Sequence, residues 1–206
     1  MLKVYRDGSL ERLAGGKLPS YLTEVQIKAL TQSFQRWFDD SPPKWRRSRA
    51  RHWAVFLVLR FSGARLGEVL RIDDTTDINW REGEIRLITL KRRARAFRTV
   101  FLPQQVLTEL SRLLMEFPAL RGNLFAAHER VFRRIFGERA REAGLPRELS
   151  HPHILRHTRA VEMIRAGVPL TLIQQLLGHA ALTTTAVYLQ LFQAEAREIL
   201  RERGLI

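Results

Sequence analysis

Residues Ser150 to Tyr188, SHPHILRHTRAVEMIRAGVPLTLIQQLLGHAALTTTAVY, constrain the chain more than any other stretch. They hold four of its six histidines, an Arg three positions after a His, and a Tyr nine positions after another His. Ser150 is placed to cap a helix with Pro152 in its first turn, so that His153 and Arg156 fall at i and i+3 on one face and can reach one anion. Gly167 ends that helix and Pro169 blocks its continuation. Thr171 is placed to cap the next helix and Gly178 to close it, with His179 on the turn that follows. The run Thr183-Thr184-Thr185 offers a start for a helix carrying Tyr188. A basic cluster of Arg, His and Tyr with few carboxylates suits a phosphate rather than a cation.

The charge balance points the same way. Lys and Arg number 35 against 21 Asp and Glu, a net charge of +14, which favours a polyanionic partner over a neutral small molecule. Nucleic acid is the first expectation and an anionic membrane surface the alternative. No apolar run approaches the roughly 20 residues of a membrane span, and the N-terminus MLKVYRDGSL lacks the apolar core of a signal peptide, so a cytoplasmic, nucleoid-associated location is expected. The absence of Cys excludes a disulfide scaffold, a thiolate metal site and a Cys nucleophile. A length of 206 residues with 45% hydrophobic composition fits one domain, or at most two.

Along the chain, residues 1–20 contain a candidate Asp7-Gly8 hairpin turn and then breakers at Gly15-Gly16 and Pro19. Thr23 and Gln26 form a capping box before a helix whose apolar stripe is read as Val25, Ile27, Leu30, Phe34 and Phe38, and Pro42-Pro43 ends it. The basic run KWRRSRAR leads into a helix apolar on most sides, which Gly63 breaks. Arg65 and Glu68 then open a short helix, at a spacing that on sequence alone reads as a surface ion pair of little worth. EIRLITL and RTVFLP read as strands joined by the basic link KRRARAF. Pro103 begins a helix with Val106, Leu107, Leu110, Leu113 and Leu114 as core, and Phe117-Pro118 ends it. Residues 128–144 form a helix with Val131, Phe132, Ile135 and Phe136 opposite Arg130, Arg133, Arg134 and Arg141; the second face is read either as a duplex-binding surface or as a solvated charged one. The fold class is therefore mixed and mainly α, with a small antiparallel β-hairpin or sheet.

HPHILRHT followed by LLGHAALTTTAVY, with SGARLGEVLRI upstream, resembles the signature of the tyrosine recombinase (phage integrase) family over roughly residues 20 to 190. The resemblance implies a catalytic domain over 21–206, preceded by an N-terminal extension at 1–20 and including a terminal helix from about 191 that docks onto a neighbouring protomer. It implies DNA cleavage and rejoining with Tyr188 as nucleophile, Arg65 and Arg156 holding the phosphate, His153 as base, Lys91 protonating the leaving oxygen and His179 donating a hydrogen bond. Glu68 and His157 stand behind these groups in support. Lys44, Arg46, Arg47, Arg93, Arg95 and Arg98 are candidate contacts to the DNA backbone. No cofactor and no metal are expected, because these groups together supply charge stabilisation and proton transfer. The implied partners are double-stranded DNA and further copies of the chain in a tetrameric synapse.

Three other readings compete. VPLTLIQQLLGHAALTTTAVYL also resembles a helix-turn-helix, which would make the chain a non-catalytic DNA-binding regulator. A type IB topoisomerase shares the chemistry. A metal hydrolase using His151, His153, His157 and His179 fits less well, since the neighbouring arginines repel a cation. The short segment before Thr23 departs from most family members, which carry a separate DNA-clamping domain there; the expectation is either an excised catalytic domain or a naturally short member, similar in layout to the fimbrial phase-switch invertases.

Overall fold

A computed structural model describes residues 20–91 and 94–178 together with positions 201 and 204, the side chains of residues 89–96 excepted. The extension at 1–20, but for Ser20, and the helix expected from about 191, but for positions 201 and 204, therefore lie outside the described residues.

The first helix, α1 (Glu24–Asp39), starts where its capping box predicts: the Gln26 N–H donates to Thr23 Oγ1 at 3.3 Å and the Thr23 N–H to Gln26 Oε1 at 2.9 Å. Ile27, Leu30, Phe34 and Phe38 are buried along one stripe. Val25, expected in that stripe, is 78% exposed, because two residues of helix turn it about 200° away from Ile27. Helix α2 (Pro43–Ser62) absorbs the basic run into its first half. From His52 to Leu59 every residue is buried, so α2 is a central helix rather than an amphipathic one, and it packs against α1 and the helices that follow. Phe56 stacks on Phe34 with ring centroids 4.1 Å apart, and Phe132 and Phe136 close the cluster from a later helix.

A short helix, α3 (Leu66–Val69), leads to a three-stranded antiparallel sheet in the order β1 (Ile78–Asn79), β2 (Glu84–Lys91), β3 (Ala94–Phe101). Ile85 pairs with Val100 and Leu87 with Arg98, which places these four on the face turned to the core. Most of the basic link is thus strand, with only positions 92 and 93 between β2 and β3. Helices α4 (Gln104–Glu116), α5 (Glu129–Glu142), α6 (His153–Arg165) and α7 (Leu170–Leu177) complete the described chain. Val131 on α5 is partly exposed at 36%, unlike its buried neighbours Phe132, Ile135 and Phe136.

Two expected caps differ. Ser150 Oγ donates back to the Pro146 carbonyl at 2.9 Å, and Pro152 is the residue that precedes α6, with no side-chain cap. Pro169 likewise precedes α7, and Thr171 lies inside that helix. At both starts the fixed φ of proline sets the first turn without a hydroxyl. Helices α6 and α7 share a smaller core of Val161, Ile164, Ile173 and Leu177 with Tyr21, which brings the end of α7 onto the end of α2. The architecture is mainly helical with one small antiparallel sheet, as expected. Among the described residues, no helix is long and apolar enough to cross a membrane.

Candidate active site

The site is built on the turn that ends α2. Ser62 Oγ donates to the Val58 carbonyl at 2.6 Å and accepts the Ala64 N–H at 3.1 Å, and Gly63 takes a left-handed φ of 65°. A Cβ at Gly63 would lie 2.7 Å from Leu177 Cδ2, so only glycine allows both the turn and the approach of α7. The freed Gly63 carbonyl accepts Arg156 Nη1 at 2.9 Å. One turn therefore fixes two arginines, since Arg65 follows two residues later as the residue that precedes α3.

The two arginines sit differently. Arg156 is 2% exposed, whereas the Arg65 side chain is 42% exposed and is oriented by Glu68 and by the end of α7. The Arg65 N–H donates to Glu68 Oε2 at 2.8 Å and its Nη1 to Glu68 Oε1 at 3.2 Å, while Nη1 and Nη2 reach the Gly178 carbonyl at 3.4 and 3.3 Å. Glu68 is itself buried and forms a bidentate pair with Arg98, at 2.8 Å from Nη1 and 2.6 Å from Nη2. Burial alone would raise the Glu68 carboxyl; the bonds and charges of Arg98 and then Arg65 outweigh it and hold the group at about 2.

His153 opens α6 one turn before Arg156, and its ring meets that of His157 edge-on at 4.7 Å. Its imidazolium is disfavoured first by partial removal from water, then by the charges of Arg156, His151, Arg65 and Arg133, so its pKa lies below 6.5. A neutral imidazole beside two guanidiniums can accept a proton at neutral pH. The pair Arg65 and Glu68 and the pair His153 and Arg156, far apart from each other in sequence, thus come together. Gly178 delivers the chain to this point with a φ of 68°, and His179 is the next residue. His179 and Tyr188 lie outside the described residues. Lys91 ends β2, paired with Ala94, and its side chain is not among those described.

The expected DNA contacts divide. Lys44 and Arg47 are exposed on the first turns of α2, Lys44 with its Nζ 5.7 Å from the Trp45 ring. Arg46 instead ties α2 to α4, its Nε 2.6 Å from Glu116 Oε1. Arg93 and the side chain of Arg95 lie outside the described residues. Arg98 differs most from expectation. With a side chain 10% exposed, it points into the protein and its Nε donates to the Leu176 carbonyl at 2.8 Å. The strand alternation carried the signal for this, since Arg98 shares its face with buried Val100 while Phe97, Thr99 and Phe101 are exposed. An arginine on the buried face of a strand requires a carboxylate, and Glu68 supplies it.

Residues 20–195 match the family model of the phage integrase family. The chain belongs to that family. Among its relatives, a tyrosine recombinase of Thermosipho africanus is 30% identical over 184 residues, which cover 87% of this chain and 60% of that protein. The Sinorhizobium fredii protein y4gC, named as an integrase/recombinase, is 33% identical over 196 residues, covering 88% and 94% of the two chains. The crystal structure of a XerA recombinase superposes with a TM-score of 0.71 at 25% identity, over 92% of this chain and 66% of that one. The chain thus spans less than two thirds of the first of these proteins and nearly all of the second.

Proposed function

We propose that this chain is a site-specific DNA recombinase that breaks and rejoins DNA through a 3′-phosphotyrosine on Tyr188. The observation that carries the reading is the α2–α3 turn, which fixes Arg156 through the Gly63 carbonyl and Arg65 through Glu68 and Gly178, with the neutral His153 beside them. Two planar, permanently charged guanidiniums suit the negative charge that gathers on the non-bridging oxygens of a phosphodiester under attack.

In the proposed step the Tyr188 oxygen forms a bond to phosphorus and the bond from phosphorus to the 5′-oxygen breaks. The phenol proton passes to His153, the leaving 5′-oxygen takes a proton from Lys91, and His179 donates a hydrogen bond to the phosphate. Attack by a different 5′-hydroxyl reverses these steps and exchanges strands. The partners are double-stranded DNA and, on paired sites, three more copies of the chain in a synapse; the setting is the nucleoid. The phosphoester energy is kept in the adduct, so neither a metal ion nor a nucleotide enters the step.

The test is incubation with a nicked duplex carrying the site, in excess chelator and without nucleotide triphosphate, followed by denaturing gels and peptide mapping. A covalent adduct on Tyr188 that disappears in Tyr188→Phe, with DNA binding retained, is expected. An adduct that persists in Tyr188→Phe, or that forms only with a divalent metal, overturns the reading.

A further inference from the structure

We propose that Arg98 is a positioning residue: by pairing with Glu68 and holding the end of α7, it lets Glu68 orient Arg65 without neutralising it. The inference rests on the recombinase reading of the site and assigns to β3 a part in it that no phosphate contact accounts for.

Both oxygens of Glu68 bridge the same two arginines. Oε1 accepts Arg98 Nη1 at 2.8 Å and Arg65 Nη1 at 3.2 Å, and Oε2 accepts Arg98 Nη2 at 2.6 Å and the Arg65 backbone N–H at 2.8 Å. The shorter side-chain bonds belong to Arg98. A lone carboxylate beside Arg65 would form a neutral pair and lower the attraction for a phosphate. With Arg98 present the three groups sum to one positive charge, and the exposed member of the set is Arg65, at 42% against 10% for Arg98 and 7% for Glu68. The residual charge therefore faces solvent through Arg65.

The same guanidinium reaches the third element of the site. Arg98 Nε donates to the Leu176 carbonyl at 2.8 Å, and a Cβ placed on Gly178 would lie 2.9 Å from Arg98 Nη1 and 3.1 Å from its Cζ. The Gly178 carbonyl in turn accepts both Nη atoms of Arg65. Arg98, Glu68, Arg65 and the Leu176–Gly178 segment form a closed ring joining β3, α3 and α7. That ring sets the backbone from which the next residue, His179, departs. A bidentate fork is required to span Glu68 and Leu176 at once, which a lysine cannot do.

The test compares wild type, Arg98→Gln, Arg98→Lys and the double variant Arg98→Gln/Glu68→Gln on the nicked duplex. DNA affinity and the single-turnover adduct rate at saturating protein are measured from pH 5 to 8, with thermal melts run in parallel. The expected result for Arg98→Gln is affinity within about threefold of wild type and an adduct rate at least about tenfold lower, a loss on the rate rather than on binding. Its acid limb steepens, because Glu68 has lost the partner that keeps it ionised, and the double variant removes that extra proton dependence. Arg98→Lys restores part of the rate. If Arg98→Gln does not fold, Arg98→Lys decides: a wild-type rate and pH profile there overturns the proposal. So does weakened DNA binding in Arg98→Gln with an unchanged saturating rate, which marks Arg98 as a phosphate contact. Wild-type protein that forms no adduct overturns the recombinase reading itself, and this inference with it.

Discussion

The arginines around the end of α2 and those along α5 are one residue type under opposite constraints. Arg65, Arg98 and Arg156 are held by carbonyls of Gly63, Leu176 and Gly178 and by one buried carboxylate, contributed by the ends of α2 and α7 and by α3. On α5, Arg133 and Arg134 pair with Glu129 and Glu138 one turn away on the same helix, at 2.6 and 3.1 Å, and Arg139 pairs with Glu142. Exposed pairs of this kind contribute about 0–1 kcal/mol each. The face of α5, read either as a duplex-binding surface or as a solvated charged one, is interleaved with acids that pair with its arginines. A net charge of +14 therefore does not by itself mark a binding surface; what distinguishes the α2 turn is that its positive groups are held by backbone carbonyls and a buried carboxylate from other elements.

If that contrast is right, the largest effect comes from Arg156→Ala. It removes a guanidinium from the phosphate and leaves the buried Gly63 carbonyl without its donor. The adduct rate should fall by about 1000-fold or more, judging from the loss of a single transition-state donor, and stability by about 1–3 kcal/mol in a denaturant melt. Gly178→Ala comes next. Its φ of 68° is strained for any residue with a Cβ, by about 1–3 kcal/mol, and that Cβ would meet the Arg98 guanidinium, so both the melting temperature and the adduct rate should drop.

A smaller effect follows from pH. The folded pKa of His153 lies below its ordinary 6.5, so the neutral base is fully present above that value and is lost as pH falls through the lowered one. The adduct rate in wild type should hold level from pH 8 to about 6.5 and decline below it. A decline that begins above 6.5 contradicts the role given to His153. The smallest change is expected on α5: Arg134→Gln should move stability by about 0.5 kcal/mol or less, leave the adduct rate unchanged, and lower the slope of log affinity against log salt by at most about 0.9. A rate loss in Arg134→Gln would dissolve the contrast between the two sets.

The sequence displayed the site's side chains better than the backbone that holds them. His153 and Arg156 were legible from their spacing and from Pro152, and α1 from Thr23 and Gln26, because these signals are local. Arg65 read alone as a surface ion pair, since nothing within three residues shows that Glu68 is buried or that Gly178 lies opposite. In sequence Arg98 is one more member of a basic run; only the strand register shows that it faces inward. Ser150 and Thr171 looked like caps because hydroxyls favour that position, yet the prolines beside them had already set the backbone. Val25 shows the limit of composition against phase, since an apolar residue on the wrong side of a helix remains in water.

The most direct test is Arg65→Lys set beside wild type on one nicked duplex. Lysine keeps the charge but loses the planar fork that reaches Glu68 and Gly178 and that the proposed reaction sets against a phosphate. DNA affinity within about twofold of wild type and an adduct rate lower by about 100-fold or more are expected. A wild-type rate in Arg65→Lys would contradict the account, because the fork that Glu68 and Gly178 orient at the α2 turn would then not be a group that the reaction needs.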